Sequence, residues 1–141
     1  MEDERLLEPF YTMLPKDQEP TLRIATLPTD TNHSGDVFGG WIMSQVDIAG
    51  SLLAIRRTGG KVVTVAVDNF VFRHPVFVGD VVSFYTKITK IGRTSITIDV
   101  AVYAQRGPRE GNKEICIKVT EAVLTYVAVD EKRRSRIVPQ G

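Results

Sequence analysis

Residues 38–55, Phe38-Gly39-Gly40-Trp41-Ile42-Met43-Ser44-Gln45-Val46-Asp47-Ile48-Ala49-Gly50-Ser51-Leu52-Leu53-Ala54-Ile55, are apolar at nearly every position and contain one ionisable side chain, Asp47. A helix that is apolar all round is a buried helix. A carboxylate inside it must be paired, hydrogen-bonded or neutral, because an isolated buried charge is costly. Such a cost is most often borne at functional sites. No Lys, Arg or His lies on this segment within one turn of Asp47. Its partner must therefore be water, a backbone N–H, or a group from another element or chain. A carboxylate so placed can serve as a general base toward water. The other reading is a structural Asp that caps a backbone group or pairs with a strand arginine.

Gly39-Gly40 heads the same segment. Two glycines let another molecule approach the backbone, and the first N–H groups of a helix have no intrahelical acceptor and sit at the positive end of its dipole. Such N–H groups can hold a carbonyl oxygen as it becomes an oxyanion. The alternative is that the pair only allows tight packing where the helix begins. Asp47 follows seven to eight residues later, about 11 Å along the axis at 1.5 Å rise per residue. One side of one helix would then carry donors at its start and a base further down, a pairing suited to hydrolysis at a carbonyl.

The preceding loop holds Asp30, Asn32, His33 and Asp36. Asp36 reads as an N-cap or turn residue. Asn32 can orient a water or polarise a carbonyl, or simply build an Asx-turn. The two histidines, His33 and His74, are far apart and without cysteine nearby, so no metal site is expected. No nucleophile elbow, phosphate loop or dinucleotide fingerprint is present. Two basic features can meet phosphate or be solvated surface: the turn Gly92-Arg93-Thr94-Ser95 and the Lys132–Arg136 run.

The elements that must position these groups follow from periodicity. Thr21–Thr26 reads as a first strand, Pro28–Gly40 as a loop, and the helix runs to about Arg57, where Gly59-Gly60 ends it. Four strands follow: Lys61–Phe72 with a bulge, Val81–Ile91, Thr94–Tyr103, and Glu114–Asp130. In the third of these, Ile96, Ile98, Val100 and Val102 share one face. The order implies an α+β fold, an antiparallel sheet of about five strands curled around one long helix. One helix cannot cover both faces and both edges of such a sheet, so a dimer is expected. Residues 1–20 read as a weakly ordered, flexible N-terminal arm, and residues 21–139 as a single domain.

The chain has 141 residues, 43% hydrophobic and 25% charged, with 18 Lys plus Arg against 17 Asp plus Glu. That balance gives no field to recruit nucleic acid. One cysteine, Cys116, excludes an intramolecular disulfide and reads as a half-buried strand residue. The acidic N-terminus is not a secretory signal. No run reaches the roughly 18 apolar residues of a membrane span, and a cytoplasmic location is expected.

The segment Pro28-Thr29-Asp30-Thr31-Asn32-His33-Ser34-Gly35-Asp36-Val37-Phe38-Gly39-Gly40-Trp41-Ile42-Met43-Ser44-Gln45-Val46-Asp47 resembles the hot-dog-fold acyl-CoA thioesterases of the YciA type. The likeness continues through Arg73-His74-Pro75-Val76, Val78-Gly79-Asp80-Val81-Val82, Gly92–Ser95 and Tyr126-Val127-Ala128-Val129-Asp130, and covers roughly residues 21–139. It implies a double-hot-dog dimer, often assembled as a trimer of dimers, that is, a hexamer. It also implies acyl-CoA as substrate, with coenzyme A a part of substrate and product and no separate cofactor. By the same resemblance Asp47 is the catalytic acid, a general base or a nucleophile. Gly40 supplies a backbone oxyanion donor, and Asn32 works with the Asp across the dimer interface. Gly92, Arg93, Thr94 and Ser95 lie where coenzyme A is held. Many relatives carry His before Gly-Gly; Phe38 stands here, which shifts weight to the backbone donors. A non-catalytic acyl-CoA binding module and a hot-dog hydratase or dehydratase are the competing readings.

Overall fold

The helix α1 spans Gly39–Thr58 in a computed structural model of the chain, which describes residues 11–108, 111 and 113–140. Gly59 ends it in the left-handed conformation (φ 74°), its N–H donating to the Ile55 carbonyl, while Arg56 and Arg57 complement the dipole in the last turn. Five strands accompany it: β1 (Leu22–Ala25), β2 (Val62–Phe72), β3 (Val81–Ile91), β4 (Ser95–Arg106) and β5 (Ile115–Ala128). They form one antiparallel sheet in the order β1-β3-β4-β5-β2. A short 3-10 turn, Pro28–Asp30, unforeseen from the sequence, breaks the loop before the helix.

α1 packs against β2, β3, β4 and β5. The core between them holds Ile96, Ile98, Val100 and Val102 of β4, as their alternation requires, with Phe84, Leu124, Tyr126 and the helix residues Ile42, Val46 and Ala49. Each large apolar side chain removed from water here contributes about 1.5–3 kcal/mol.

Within a single chain the helix is not buried on all sides. Ile48, Leu52 and Ile55, spaced i, i+4, i+7, are more than 40% exposed, as is Met43. β2 is an edge strand of the sheet, and its Val65, Val67, Val71 and Phe72 are also exposed. An apolar helix stripe beside a long β-branched edge strand is a surface that soluble chains cover.

Of the expected arm, residues 1–10 lie outside the described residues. Tyr11 forms an antiparallel bridge with Ile117, and Thr12 N–H donates to the Cys116 carbonyl (2.8 Å), so the start of the described chain is tied to β5 where β2 has already ended. Cys116 is half-buried, and burial followed by the charge of Glu114 pushes its thiol pKa up.

The connection 73–80 is secured by a buried ion pair. The Asp80 carboxylate is fully buried and accepts from Arg106 Nε (2.9 Å), Arg106 Nη2 (2.8 Å) and Phe77 N–H (3.0 Å). The Arg106 guanidinium lies 4.4 Å from the centre of the Phe77 ring. From this connection the Val76 carbonyl accepts Val37 N–H (2.7 Å), and Asp36 bridges to Phe77, which hangs the lead-in of α1 on it.

Candidate active site

Asp47 lies on the side of α1 that faces the β2–β5 pair. In that pair Thr64 is directly opposite Tyr126, and directly opposed residues of antiparallel strands project from the same face. Both reach Asp47 Oδ1: Thr64 Oγ1 donates to it at 2.7 Å, and Tyr126 Oη lies 3.0 Å away. The Tyr126 hydroxyl is also 2.9 Å from the Asp47 carbonyl oxygen. No Lys, Arg or His forms an ion pair with Asp47 among the described residues. The carboxylate is therefore held by hydroxyls and not by a salt link. Burial pushes the Tyr126 phenol pKa well above its ordinary value, and the negative charge of Asp47 adds to the shift. Tyr126 is thus a protonated donor at any working pH. Neither Thr64 nor Tyr126 was singled out from the sequence as a partner of Asp47. Thr64 sits in a β-branched run with no local mark of function. Only the register of β2 on β5, with a bulge immediately after Thr64, brings the two hydroxyls together.

Asp47 opens onto a cleft of about 250 Å³ lined by Gly40, Met43, Ser44, Val46, Val67, Phe70 and Leu124. Gly40 and Asp47 are seven residues apart, two turns on one side of the helix, so both border this mostly apolar space. Phe38 is the N-cap and makes no side-chain cap hydrogen bond; its carbonyl accepts Trp41 and Ile42 N–H. The Gly39 and Gly40 N–H groups have no acceptor among the described residues. The two glycines differ in surroundings. A Cβ on Gly39 would meet the Phe72 ring at 3.1 Å, whereas a Cβ on Gly40 would meet nothing within 4 Å. Gly39 is thus a packing glycine and Gly40 an open one.

Asp36 does not cap the helix, contrary to one of its two expected roles. It is a turn residue, because Asn32 occupies the turn before it. Asn32 Oδ1 accepts Ser34 N–H (2.8 Å) and Asp36 N–H (3.2 Å), and Asn32 N–H donates to the Asp36 carbonyl (2.8 Å). This is an Asx-turn, and it orients the amide NH2, which has no acceptor among the described residues, away from those N–H groups. Asn32 does not line the Asp47 cleft of its own chain.

The turn Gly92–Ser95 is likewise outside that cleft. It sits one step beyond the cross-strand pair Ile96–Tyr126, with Ser95 opposite Val127. The Arg93 carbonyl accepts Val138 N–H (2.8 Å), and the Arg93 side chain is exposed. The basic run that follows β5 is partly structural: Arg134 pairs with Asp130, and Arg136 donates to the carbonyls of Thr58 and Val129, capping the C-terminus of α1. Lys132, Arg133 and Arg56 are exposed at this same end. Among the described residues no group of three or more His, Cys, Asp and Glu side chains could hold a metal ion.

Residues 34–110 match the Thioesterase superfamily. The chain is 48% identical over 120 residues to an uncharacterized acyl-CoA thioester hydrolase of Haemophilus influenzae, covering 84% of this chain and 77% of that protein. It is 46% identical over 123 residues to the acyl-CoA thioester hydrolase YciA of Salmonella typhimurium, covering 86% and 90%. Among solved structures, a hexameric hotdog-fold thioesterase of Campylobacter jejuni superposes with a TM-score of 0.83 at 42% identity, covering 88% of this chain and 93% of that one. The sheet and central helix described above are that hot-dog fold.

Proposed function

Given that the chain belongs to the thioesterase superfamily and is an acyl-CoA thioester hydrolase, we propose that Asp47 is its general base and that the Gly40 N–H is its oxyanion donor. The observation that carries this reading is a carboxylate held by two hydroxyls, without a cation, beside a cleft that ends at an open helix N-terminus. Asp47 takes a proton from water as the oxygen attacks the thioester carbonyl carbon. The carbonyl oxygen becomes an oxyanion held by the Gly40 N–H. Collapse breaks the C–S bond, and the proton on Asp47 passes to the departing thiolate, giving free coenzyme A and a carboxylic acid.

Spacing supports the pairing. The two residues are about 10 Å apart along the axis, and the Asp47 side chain leans back toward the helix start. A base–water hydrogen bond, a near-attack contact and a carbonyl–N–H hydrogen bond are each roughly 3 Å. One water and one carbonyl therefore fit between them. The apolar lining from Met43, Val67 and Phe70 suits an acyl chain. The Asn32 NH2, which has no acceptor among the described residues, is presented to the site of a second copy. Gly92–Ser95, together with the exposed cations at the same end of α1, takes the phosphates of coenzyme A. Coenzyme A comes and goes with the substrate, and no separate cofactor enters. We place the enzyme in the cytoplasm. No described helix is long and apolar enough to cross a membrane.

Thiol release from acyl-CoA by the purified protein tests the reading; binding without turnover would make the chain a binding module instead. Gly40→Pro tests the donor. Pro is tolerated in the first helical turn, and the preceding glycine lacks the Cβ that would clash. The change removes the N–H and adds a ring whose Cβ meets nothing within 4 Å, and kcat should fall about 10²- to 10³-fold. Gly40→Ala keeps the N–H and should retain most of the activity. Equal activity of the Pro and Ala variants would remove Gly40 from the mechanism.

The reading extends to a homo-oligomer built of dimers and completed as a hexamer. The exposed Ile48–Leu52–Ile55 stripe and the edge of β2 are the surfaces a second copy covers. Ile48→Asp should convert the assembly to monomers in size-exclusion chromatography and lower turnover with it. An unchanged elution volume would exclude this face as the seam.

A further inference from the structure

Tyr126 is fully buried, yet its ring ends in a hydroxyl set against the middle of a helix. Room for that hydroxyl exists because residue 50 is glycine: a Cβ there would fall on Tyr126 Oη, far inside van der Waals contact. Glycine in a helix interior costs stability relative to alanine, and phenylalanine would fill the same core volume without the hydroxyl. The oxygen is therefore kept in place against both packing and helix propensity. It lies on Asp47 Oδ1 alongside Thr64, while Asp47 Oδ2 has no hydrogen-bond partner among the described residues.

We infer that Tyr126 is a positioning residue for the hydrolysis: with Thr64 it pins Oδ1 and so presents Oδ2 to the cleft as the oxygen that takes the proton of water, with Gly50 the small residue that admits it. This rests on Asp47 being the base. The groups facing Asp47 are few. Tyr126 comes from β5 and Thr64 from β2, and the other side chains of the cleft, Met43, Ser44, Val46, Val67, Phe70 and Leu124, are uncharged.

The test uses Tyr126→Phe, Gly50→Ala and the double variant in the intact oligomer, with kcat and KM for thiol release measured separately. Tyr126→Phe should lower kcat about 10- to 100-fold, the size expected for one hydrogen bond to a charged group. KM should stay within about twofold, the split expected of a residue that positions the base and not the substrate. Gly50→Ala should reproduce this by displacing the hydroxyl, and should do less when added to Tyr126→Phe, where its Cβ meets only the ring carbons at 3.1 and 3.2 Å. An unchanged kcat in folded Tyr126→Phe overturns the inference, and so does an equal cost of Gly50→Ala in both backgrounds. If Asp47→Asn abolishes turnover while Tyr126→Phe is silent, only this inference falls. If Asp47→Asn is silent too, the base assignment has failed.

Discussion

Asp47→Asn should fold normally and release thiol from acyl-CoA about 10³-fold more slowly than the parent, with KM nearly unchanged. Asparagine has almost the shape of aspartate, and its Oδ1 can still accept from Thr64 and Tyr126, so the packing of α1 on β2 and β5 survives. What it cannot do is take a proton from water. General-base removal typically costs 10²- to 10⁴-fold, and an effect confined to kcat is the mark of an interaction made only in the transition state. The residual rate should come from the Gly40 N–H and from substrate binding. Single turnover in ¹⁸O-water separates two ways in which the carboxylate can act. Direct water attack puts the label in the released acid on the first turnover, whereas a covalent anhydride on Asp47, opened by water at the Asp47 carbonyl, would place it in the enzyme. Full turnover by folded Asp47→Asn would end the catalytic role.

Asp80→Ala is the change expected to cost most in stability, about 3–5 kcal/mol, read as a fall in the denaturant midpoint. Asp80 is fully buried, and three donors converge on its two oxygens. Truncating it leaves the Arg106 guanidinium largely buried and unpaired, and that desolvated charge is the larger part of the loss. Replacing both partners, as in Asp80→Ala with Arg106→Met, should therefore recover much of the stability. The lead-in to α1 hangs on the 73–80 connection through Val37 and Asp36, so activity in the single variant should fall at temperatures where the global fold still holds. A loss below about 1 kcal/mol would show that water reaches Arg106 and that the pair does not tie the helix start to the sheet.

The sequence by itself determined whatever depends on local periodicity and local backbone chemistry. Period-two alternation marked β4 and its inward face; a glycine able to adopt positive φ marked the end of α1; one carboxylate in an apolar helical run marked Asp47 as the candidate base, and its seven-residue spacing from Gly40 put both on one side. Only the tertiary structure decided what meets across distance. Thr64 and Tyr126 are 62 positions apart and share Asp47 because β2 pairs with β5 in one register; a slip of one residue would turn each to the other face. Asp80 and Arg106 are joined in the same way by the pairing of β3 with β4. The helix wheel shows apolar residues all round α1, and the single chain has one sheet to bury them against, so packing chose the Ile42–Val46–Ala49 stripe and left Ile48, Leu52 and Ile55 outward. Asp36 was chemically able to cap the helix or to build a turn. The hydrogen bonds of the folded loop selected the turn, because Asn32 Oδ1 accepts its N–H and α1 starts on the Phe38 carbonyl; the Asn32 NH2 keeps no acceptor among the described residues.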